Sequence, residues 1–328
     1  MVSGDETAAR PFTICGPDMP VPQSLAGAVA AIGNFDGVHL GHRRLVENVR
    51  AAARETGRPA AILTFEPHPR AYFTPEAPMF RLTGLAAKEI VFASLGLDGL
   101  IVRRFDGALA ATGASAFVHE FLKASLGLSG VVVGHDFHFG RGREGTPAVL
   151  AALCRETGLS CRIVDPVALG DEAEPVSSSA IRAALAAGDV ARANSLLGYR
   201  WFVLGPVRHG DKRGRQLGFP TANMRLPDCG LAHGIYAVRA RLGPGQFRDG
   251  VASYGRRPTF DDGAPLLETY LFDFTGDLYG REIAVEFVGH IRGEERFASA
   301  DALVARMHVD AEAARALLAR DATRSMLA

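Results

Sequence analysis

Two hydrophobic rhythms run along the chain, and one gives way to the other near Gly198. In the first stretch, from Ala28 to about Leu197, short apolar runs alternate with Ala-rich amphipathic segments. The apolar runs at 27–35, 60–65, 99–103, 130–133 and 159–165 predict buried strands. The segments 40–56, 84–95, 114–125 and 147–157 predict the helices between them. In the first of these, Leu45, Val49 and Ala52 recur at i, i+4 and i+7. Strands that alternate with helices imply βαβ units and a parallel sheet. Two short helices are predicted to follow, near 178–187 and 190–197.

After Gly198 the period shortens. The segments 199–207, 234–242, 247–254, 267–274 and 283–291 alternate as strands do, and Gly, Pro and Asp separate them. A helical period returns only at 300–319. Closely spaced strands of this kind predict a small antiparallel barrel or sandwich. The chain therefore divides into 20–198, an α/β domain, and 199–328, a β domain with a C-terminal helix. Neither an internal repeat nor a low-complexity tract is visible.

Composition narrows the function classes. With 328 residues the chain has room for two domains of roughly 150 residues each. Lys+Arg and Asp+Glu number 36 each, and a net charge of zero argues against a protein that coats nucleic acid. Local phosphate sites remain compatible with that total. Cys15, Cys154, Cys161 and Cys229 show no CxxC and no metal-ligand spacing, which predicts free thiols in a reducing cytoplasm. No apolar run approaches the roughly 18 residues of a membrane span. Met1 to Arg10 is polar and acidic, unlike a signal peptide. Neither a nucleic-acid nor a membrane partner is expected, and self-association is left open.

Candidate chemistry begins at Gly33-Asn-Phe-Asp-Gly-Val-His-Leu-Gly-His42, where the first strand turns into the first helix. The C-terminal edge of a parallel sheet is where ligands bind. His39 and His42 are three apart, so both rings can face one side at the helix start. Gly37 and Gly41 leave space for phosphate, and the helix N-terminus offers free N–H groups. Zinc is the weaker reading, since it needs a third ligand such as His68.

This string resembles the HxGH nucleotidyltransferase signature of bacterial FAD synthetases. The resemblance continues through Thr64-Phe-Glu-Pro-His-Pro69, Gly134-His-Asp-Phe-His-Phe-Gly140 and Ser177-Ser-Ser-Ala-Ile-Arg182, with Ser179 where Thr is usual. It implies a Rossmann-like fold in which these blocks surround ATP and FMN. Gly33, Phe35, Asp36, Gly37, Gly41, Asp136, Ser177, Ser178 and Arg182 are then ligand-binding candidates. His39 and His42 are assigned to the ATP phosphates and the charge that develops on them, and Arg182 is a phosphate clamp.

A competing motif follows. Gly140-Arg-Gly-Arg-Glu-Gly145 matches GxGxxG, with Asp165 about twenty residues on. It allows a second reading, a nicotinamide-dependent oxidoreductase. Against it, five residues separate Gly134 from Gly140, and Arg141, Arg143 and Glu144 fill the variable positions.

The second half carries Gly210-Asp-Lys-Arg-Gly-Arg-Gln-Leu-Gly-Phe-Pro-Thr-Ala-Asn223 and, like the rest of the chain, no GxxxxGK[ST]. Gly210, Gly214 and Gly218 form a flexible loop whose N–H groups can wrap phosphate, and Lys212, Arg213 and Arg215 add charge. Thr221 and Asn223 point to one side of an extended chain and offer hard oxygens suited to Mg2+. A basic Gly-rich hairpin would show the same residues.

The string resembles the GxLGFPTAN signature of riboflavin kinases. Gly234-Ile-Tyr-Ala-Val238, Arg257-Pro-Thr-Phe260, Leu267-Glu-Thr-Tyr270 and Asp277-Leu-Tyr-Gly280 follow in that family's order. The resemblance implies a Greek-key barrel, Pro220 among the ligand-binding residues, and Glu268 as the base that takes the proton of the riboflavin hydroxyl. Ser253 and Tyr254 stand where Asn and Ile are usual. Both resemblances together imply riboflavin plus ATP to FMN in the C-terminal module, then FMN plus ATP to FAD in the N-terminal one. A non-catalytic flavin-binding regulator is the third reading.

Overall fold

A computed structural model describes residues 11–77, 79–166, 176–210, 218–256 and 265–328. The chain divides into two compact units. One spans residues 1–79 and 88–175, the other 80–87 and 176–328.

The first unit contains a six-stranded parallel sheet. Its strands are Thr13–Cys15 (β1), Val29–Ile32 (β2), Ala60–Glu66 (β3), Gly99–Arg104 (β4), Gly130–Gly134 (β5) and Ser160–Val164 (β6), in the spatial order β1-β4-β3-β2-β5-β6. The four inner strands are continuous apolar runs because both sheet faces are covered. Helix Leu40–Thr56 (α1) lays Val46, Val49, Ala52 and Ala53 inward and ends on the left-handed Gly57. Pro69–Phe73 (α2), Leu85–Ser94 (α3), Gly107–Ala111 (α4), Ala114–Ala116 (α5) and Pro147–Thr157 (α6) complete the helices assigned by their ranges. α5 runs on into a π-helical stretch, Phe117–Ser125. One apolar cluster links Leu25, Ile32, Leu63, Ile101, Val131, Leu150 and Cys154 across the sheet.

Strand order reverses at β2. From β2 the chain steps to β3 and β4 on one side, then crosses to β5 and β6 on the other. The C-terminal ends of β2 and β5 are therefore neighbours at the switch point of a doubly wound sheet, the position where such sheets bind ligands.

The second unit opens with Ser178–Ala186 (α7) and Val190–Leu197 (α8). Its strands are Phe202–Pro206 (β7), Thr221–Arg225 (β8), Gly234–Gly243 (β9), Gln246–Gly255 (β10), Leu266–Leu271 (β11) and Glu282–Arg292 (β12), ordered β7-β12-β9-β10-β11-β8. All pair antiparallel. β9, β10 and β11 form a meander, and β12 returns beside β9, which is the Greek-key order. A bridge between Arg208, just past β7, and Asn223 on β8 draws the two edges together, so the sheet curls into a half-barrel. Ala300–Arg320 (α9) covers part of this sheet, with Ala311, Ala314 and Leu318 against Ala237 and Val288.

Asn194 on α8 fixes the start of the barrel. It is 4% exposed, and its amide donates to the Phe287 carbonyl (2.9 Å) and accepts from the Trp201 N–H (2.8 Å). The Trp201 indole in turn donates to the Leu82 carbonyl at 2.9 Å.

Candidate functional site

The turn after β2 leaves the sheet at the switch point. Gly33 donates to the Leu63 carbonyl at 3.1 Å, which holds the turn against β3. Phe35 (φ 49°) and Val38 (φ 41°) then take left-handed backbone although neither is glycine, and both side chains are fully buried. A β-branched residue in that region is strained, and such strain persists where the surroundings fix it. Gly37 takes φ 91° without that cost.

His39 is the N-cap of α1, and its Nδ1 faces the His42 N–H at 3.4 Å. The two imidazoles stack with centroids 3.7 Å apart and planes 20° apart. Phe35 packs on the His42 ring at 5.0 Å and edge-on to Phe92 at 5.5 Å. The three-residue spacing has thus brought both rings to one side. The Nδ1 of His42 is shut off from solvent and has no hydrogen-bond partner among the described residues.

Burial decides the charge of this pair. It pulls His39 from its ordinary 6.5 down to about 4, against the opposing pull of the Asp36 and Asp136 carboxylates. His42 is held well below 6.5, first by burial and then by His39 and the buried Lys88. Both rings are neutral at neutral pH in the free protein.

Asp136 reaches the same place from β5, two residues beyond Gly134. The structure brings together Gly33, Phe35, Asp36, Gly37, His39, Gly41, His42 and Asp136 at one sheet edge. Ser177, Ser178 and Arg182 belong to the second unit. There Ser177 caps α7 by accepting from the Ala180 N–H (3.2 Å), and Arg182 Nε donates to the Phe80 carbonyl (2.7 Å).

His68 lies outside the histidine pair's stacking contact. It caps α2 and accepts from the Arg70 N–H at 3.1 Å, and no cluster of three or more His, Cys, Asp or Glu among the described residues could hold a metal. Its neighbours Tyr72 and Phe73 remain 40% and 63% exposed and pack edge-on to Phe105, leaving aromatic surface on the protein exterior.

The GxGxxG string is not a strand-to-helix turn. Phe139 and Gly145 exchange backbone hydrogen bonds at 3.1 and 2.8 Å, which pinches Gly140–Glu144 into a small closed loop. Glu144 accepts from the Ala114 N–H at 2.8 Å, and α6 is capped separately by Thr146. A pyrophosphate resting on the start of a helix needs the glycines to lead directly into it.

In the barrel, register does what spacing alone could not. Asn223 on β8 lies directly opposite Glu268 on β11, and Glu268 lies directly opposite Ser253 on β10. Directly opposed side chains share a face, with Cβ atoms about 4.5–5.5 Å apart. Thr221 sits on that face two residues away, opposite Tyr270. Asn223 is 5% exposed, and its Oδ1 is buried with no hydrogen-bond partner among the described residues. A side chain at Gly210 would run into the Asn223 amide, so this glycine gives the close approach that the loop needs.

Gly218 takes φ 85°, and Pro220 is exposed beside the buried Phe219, whose ring contacts Tyr270 (4.9 Å) and His308 (5.0 Å). Tyr254 points to the opposite face, fully buried, with its hydroxyl on the Cys229 carbonyl at 2.9 Å. That departure from the family pattern is a core residue, whereas Ser253 stands in the row of Glu268. Lys212, Arg213, Gly214, Arg215 and Arg257 to Phe260 lie outside the described residues.

Known proteins place the chain in a family. The FAD synthetase family matches residues 21–180 and the riboflavin kinase family residues 197–318. The bifunctional riboflavin kinase/FMN adenylyltransferase of Haemophilus influenzae is 40% identical over 89% of this chain and 94% of its own. That of Pseudomonas fluorescens is 41% identical over 91% and 95%.

The chain belongs to the bifunctional riboflavin kinase/FMN adenylyltransferase family. Its two modules phosphorylate riboflavin to FMN and adenylylate FMN to FAD. A crystal structure described as a macrolide-efflux protein from Streptococcus pneumoniae is 32% identical and superposes with a TM-score of 0.78, covering 88% of this chain and 94% of that one. The efflux description is that protein's own. Among the described residues of this chain no helix is long and apolar enough to cross a membrane. The oxidoreductase reading finds no support in these relatives or in the loop at Gly140.

One residue of the first site escaped the sequence reading. Lys88 on α3 is fully buried, with Nζ 3.4 Å from Thr64 Oγ1 and 3.7 Å from Glu66 Oε1. The signal was present. Ala87, Lys88, Val91 and Phe92 occupy one helical face, and a lysine on a core face departs from the pattern of a solvated charge.

Proposed function

We propose that adenylylation takes place at the His39–His42 turn and phosphorylation at the Asn223–Glu268 row. The register that sets Glu268 beside Asn223 carries the kinase assignment. The 5′-hydroxyl of riboflavin attacks the γ-phosphorus of ATP, Glu268 accepts its proton, and ADP leaves. The orphaned Asn223 oxygen and the Thr221 hydroxyl suit a hard cation, and Mg2+ held there would neutralise phosphate charge.

In the first unit the FMN phosphate attacks the α-phosphorus of ATP and pyrophosphate leaves. That phosphate is already an anion, so alignment and donors matter more than a base. Neutral His39 and His42 offer ring N–H groups to phosphate oxygens, and the start of α1 offers backbone N–H groups. Gly33, Phe35, Asp36, Gly37, Gly41 and Asp136 shape this pocket. The family resemblance makes Ser177, Ser178 and Arg182 candidate phosphate contacts. Gly210, Gly214, Gly218 and Pro220 form the phosphate loop of the kinase.

The functional boundary falls near Gly198, with 20–198 serving adenylylation and 199–328 phosphorylation. The riboflavin kinase match beginning at residue 197 supports it. Four free cysteines are in keeping with a reducing cytoplasm.

Replacing Glu268 by Gln tests the assignment. FMN formation should fall by about 10²–10⁴-fold while FAD formation from supplied FMN is unchanged. Undiminished FMN formation would remove Glu268 from the role of base.

A further inference from the structure

Lys88 poses a physical question. A fully buried ammonium loses its hydration, at a cost of several kcal/mol that apolar neighbours do not return. Its carboxylate partner, Glu66, is 3.7 Å away and itself 22% exposed. A methionine would fill the same core position on α3 at lower cost. The charge is therefore unexplained by packing.

Its surroundings point to the histidine turn. Lys88 Nζ donates to Thr64 Oγ1 at 3.4 Å, and the Thr64 hydroxyl faces the Asn34 carbonyl at 3.4 Å. Thr64 is fully buried at the end of β3, and Asn34 is the second residue of the turn that ends at His42. The ammonium is thus tied through one hydroxyl to the backbone that places the imidazoles. Among the described residues, the charged groups that act on the pair are Asp36, Asp136 and Lys88. Of these, Lys88 is the cation.

We propose that Lys88 is a positioning residue of the adenylylation site, a buried cation tied through Thr64 to the turn after β2, which sets a positive charge behind the neutral histidine pair. Sealed from solvent, it does not touch substrate and acts through Thr64 and the histidines. At the histidine turn the polyphosphate of ATP and the charge that builds on the transferring phosphoryl group meet two neutral rings, two carboxylates and the backbone N–H groups that open α1, and Lys88 adds a cation to that set. A fixed charge in a water-poor site stabilises that build-up without reorganising. The inference rests on the reading that the histidine turn performs adenylylation.

The test uses the full-length chain and measures FAD from supplied FMN and Mg2+-ATP. Lys88→Met should lower kcat ten- to a hundred-fold with riboflavin phosphorylation unchanged, and Lys88→Arg should recover part of the loss. Histidine side-chain NMR should show His42 titrating closer to 6.5 in Lys88→Met than in the parent, a change that lost packing alone would not produce. His42→Ala is the control on the underlying reading. If His42→Ala abolishes adenylylation while Lys88→Met keeps the parent kcat and His42 titration, the proposal is overturned and the site stands. If His42→Ala adenylylates normally, the site reading itself falls, and the proposal with it. Should Lys88→Met not fold, Thr64→Val carries the test. It cuts the tie at nearly constant volume and should cost five- to tenfold in kcat, and a parent-like rate would overturn the proposal.

Discussion

Replacing His39 by Asn should make the first unit less sensitive to acid. Burial lowers His39 from 6.5 to about 4, so the unfolded chain binds a proton in a range where the folded chain does not. Stability then rises with pH across that range and is lost as pH falls through it. The separation between 6.5 and about 4 corresponds to about 3 kcal/mol, fully present above pH 6.5 and gone below pH 4. About 2 kcal/mol of it should already be lost between pH 7 and pH 5. Asparagine does not titrate and is a good N-cap, so it can keep the start of α1 while removing the proton site.

Urea unfolding at pH 7 and pH 5, followed by far-UV circular dichroism, measures the difference between parent and variant. Trp201 is the sole tryptophan and lies in the second unit, so its fluorescence reports on the barrel separately. The parent should lose about 2 kcal/mol more than His39→Asn over that interval. Equal losses in the two proteins, or a His39 resonance titrating near 6.5 in the folded parent, would refute the assignment of a buried neutral imidazole.

Other consequences are as direct. Asn194→Leu leaves the Phe287 carbonyl and the Trp201 N–H unpaired inside the second unit, which should cost about 2–4 kcal/mol in urea unfolding read by Trp201 fluorescence. Ala at Gly250 would drive a Cβ into the Tyr270 carbonyl between β10 and β11, and Gly250→Ala should lower the barrel's Tm by several degrees in scanning calorimetry. Asn223→Ala removes one oxygen of the proposed Mg2+ pair and should raise the Mg2+ concentration needed for half-maximal FMN formation, with the Mg2+ dependence of adenylylation unmoved.

The parallel sheet was legible because β2 to β5 are buried on both faces and show as unbroken apolar runs. β1 was not, since a strand of three residues, Thr13 to Cys15, is too short to show a period. In the barrel, β8 read only as extended chain. Its pairing with β11 is a register, set by contacts far apart in sequence. The two histidines were legible from spacing and from the family resemblance, but their charge was not, because it depends on what covers them.

The GxGxxG string shows the opposite failure. Its letters fit a dinucleotide fingerprint, and only the Phe139–Gly145 pairing shows that the glycines close a separate loop. Lys88 was hidden for a third reason. A single lysine in an Ala-rich helix reads as a solvated charge unless its helical face is counted against the apolar one.

The central claim is that one chain holds two separate active sites, and mixing two inactivated variants tests it most directly. Glu268→Ala and His42→Ala are each incubated with riboflavin and Mg2+-ATP, singly and together, and flavins are separated by chromatography. Neither variant alone should yield FAD: the first should leave riboflavin unchanged and the second should stop at FMN. The mixture should yield FAD, because FMN released by one variant is adenylylated by the other. FAD from either variant alone, or loss of both reactions in both, would contradict the account.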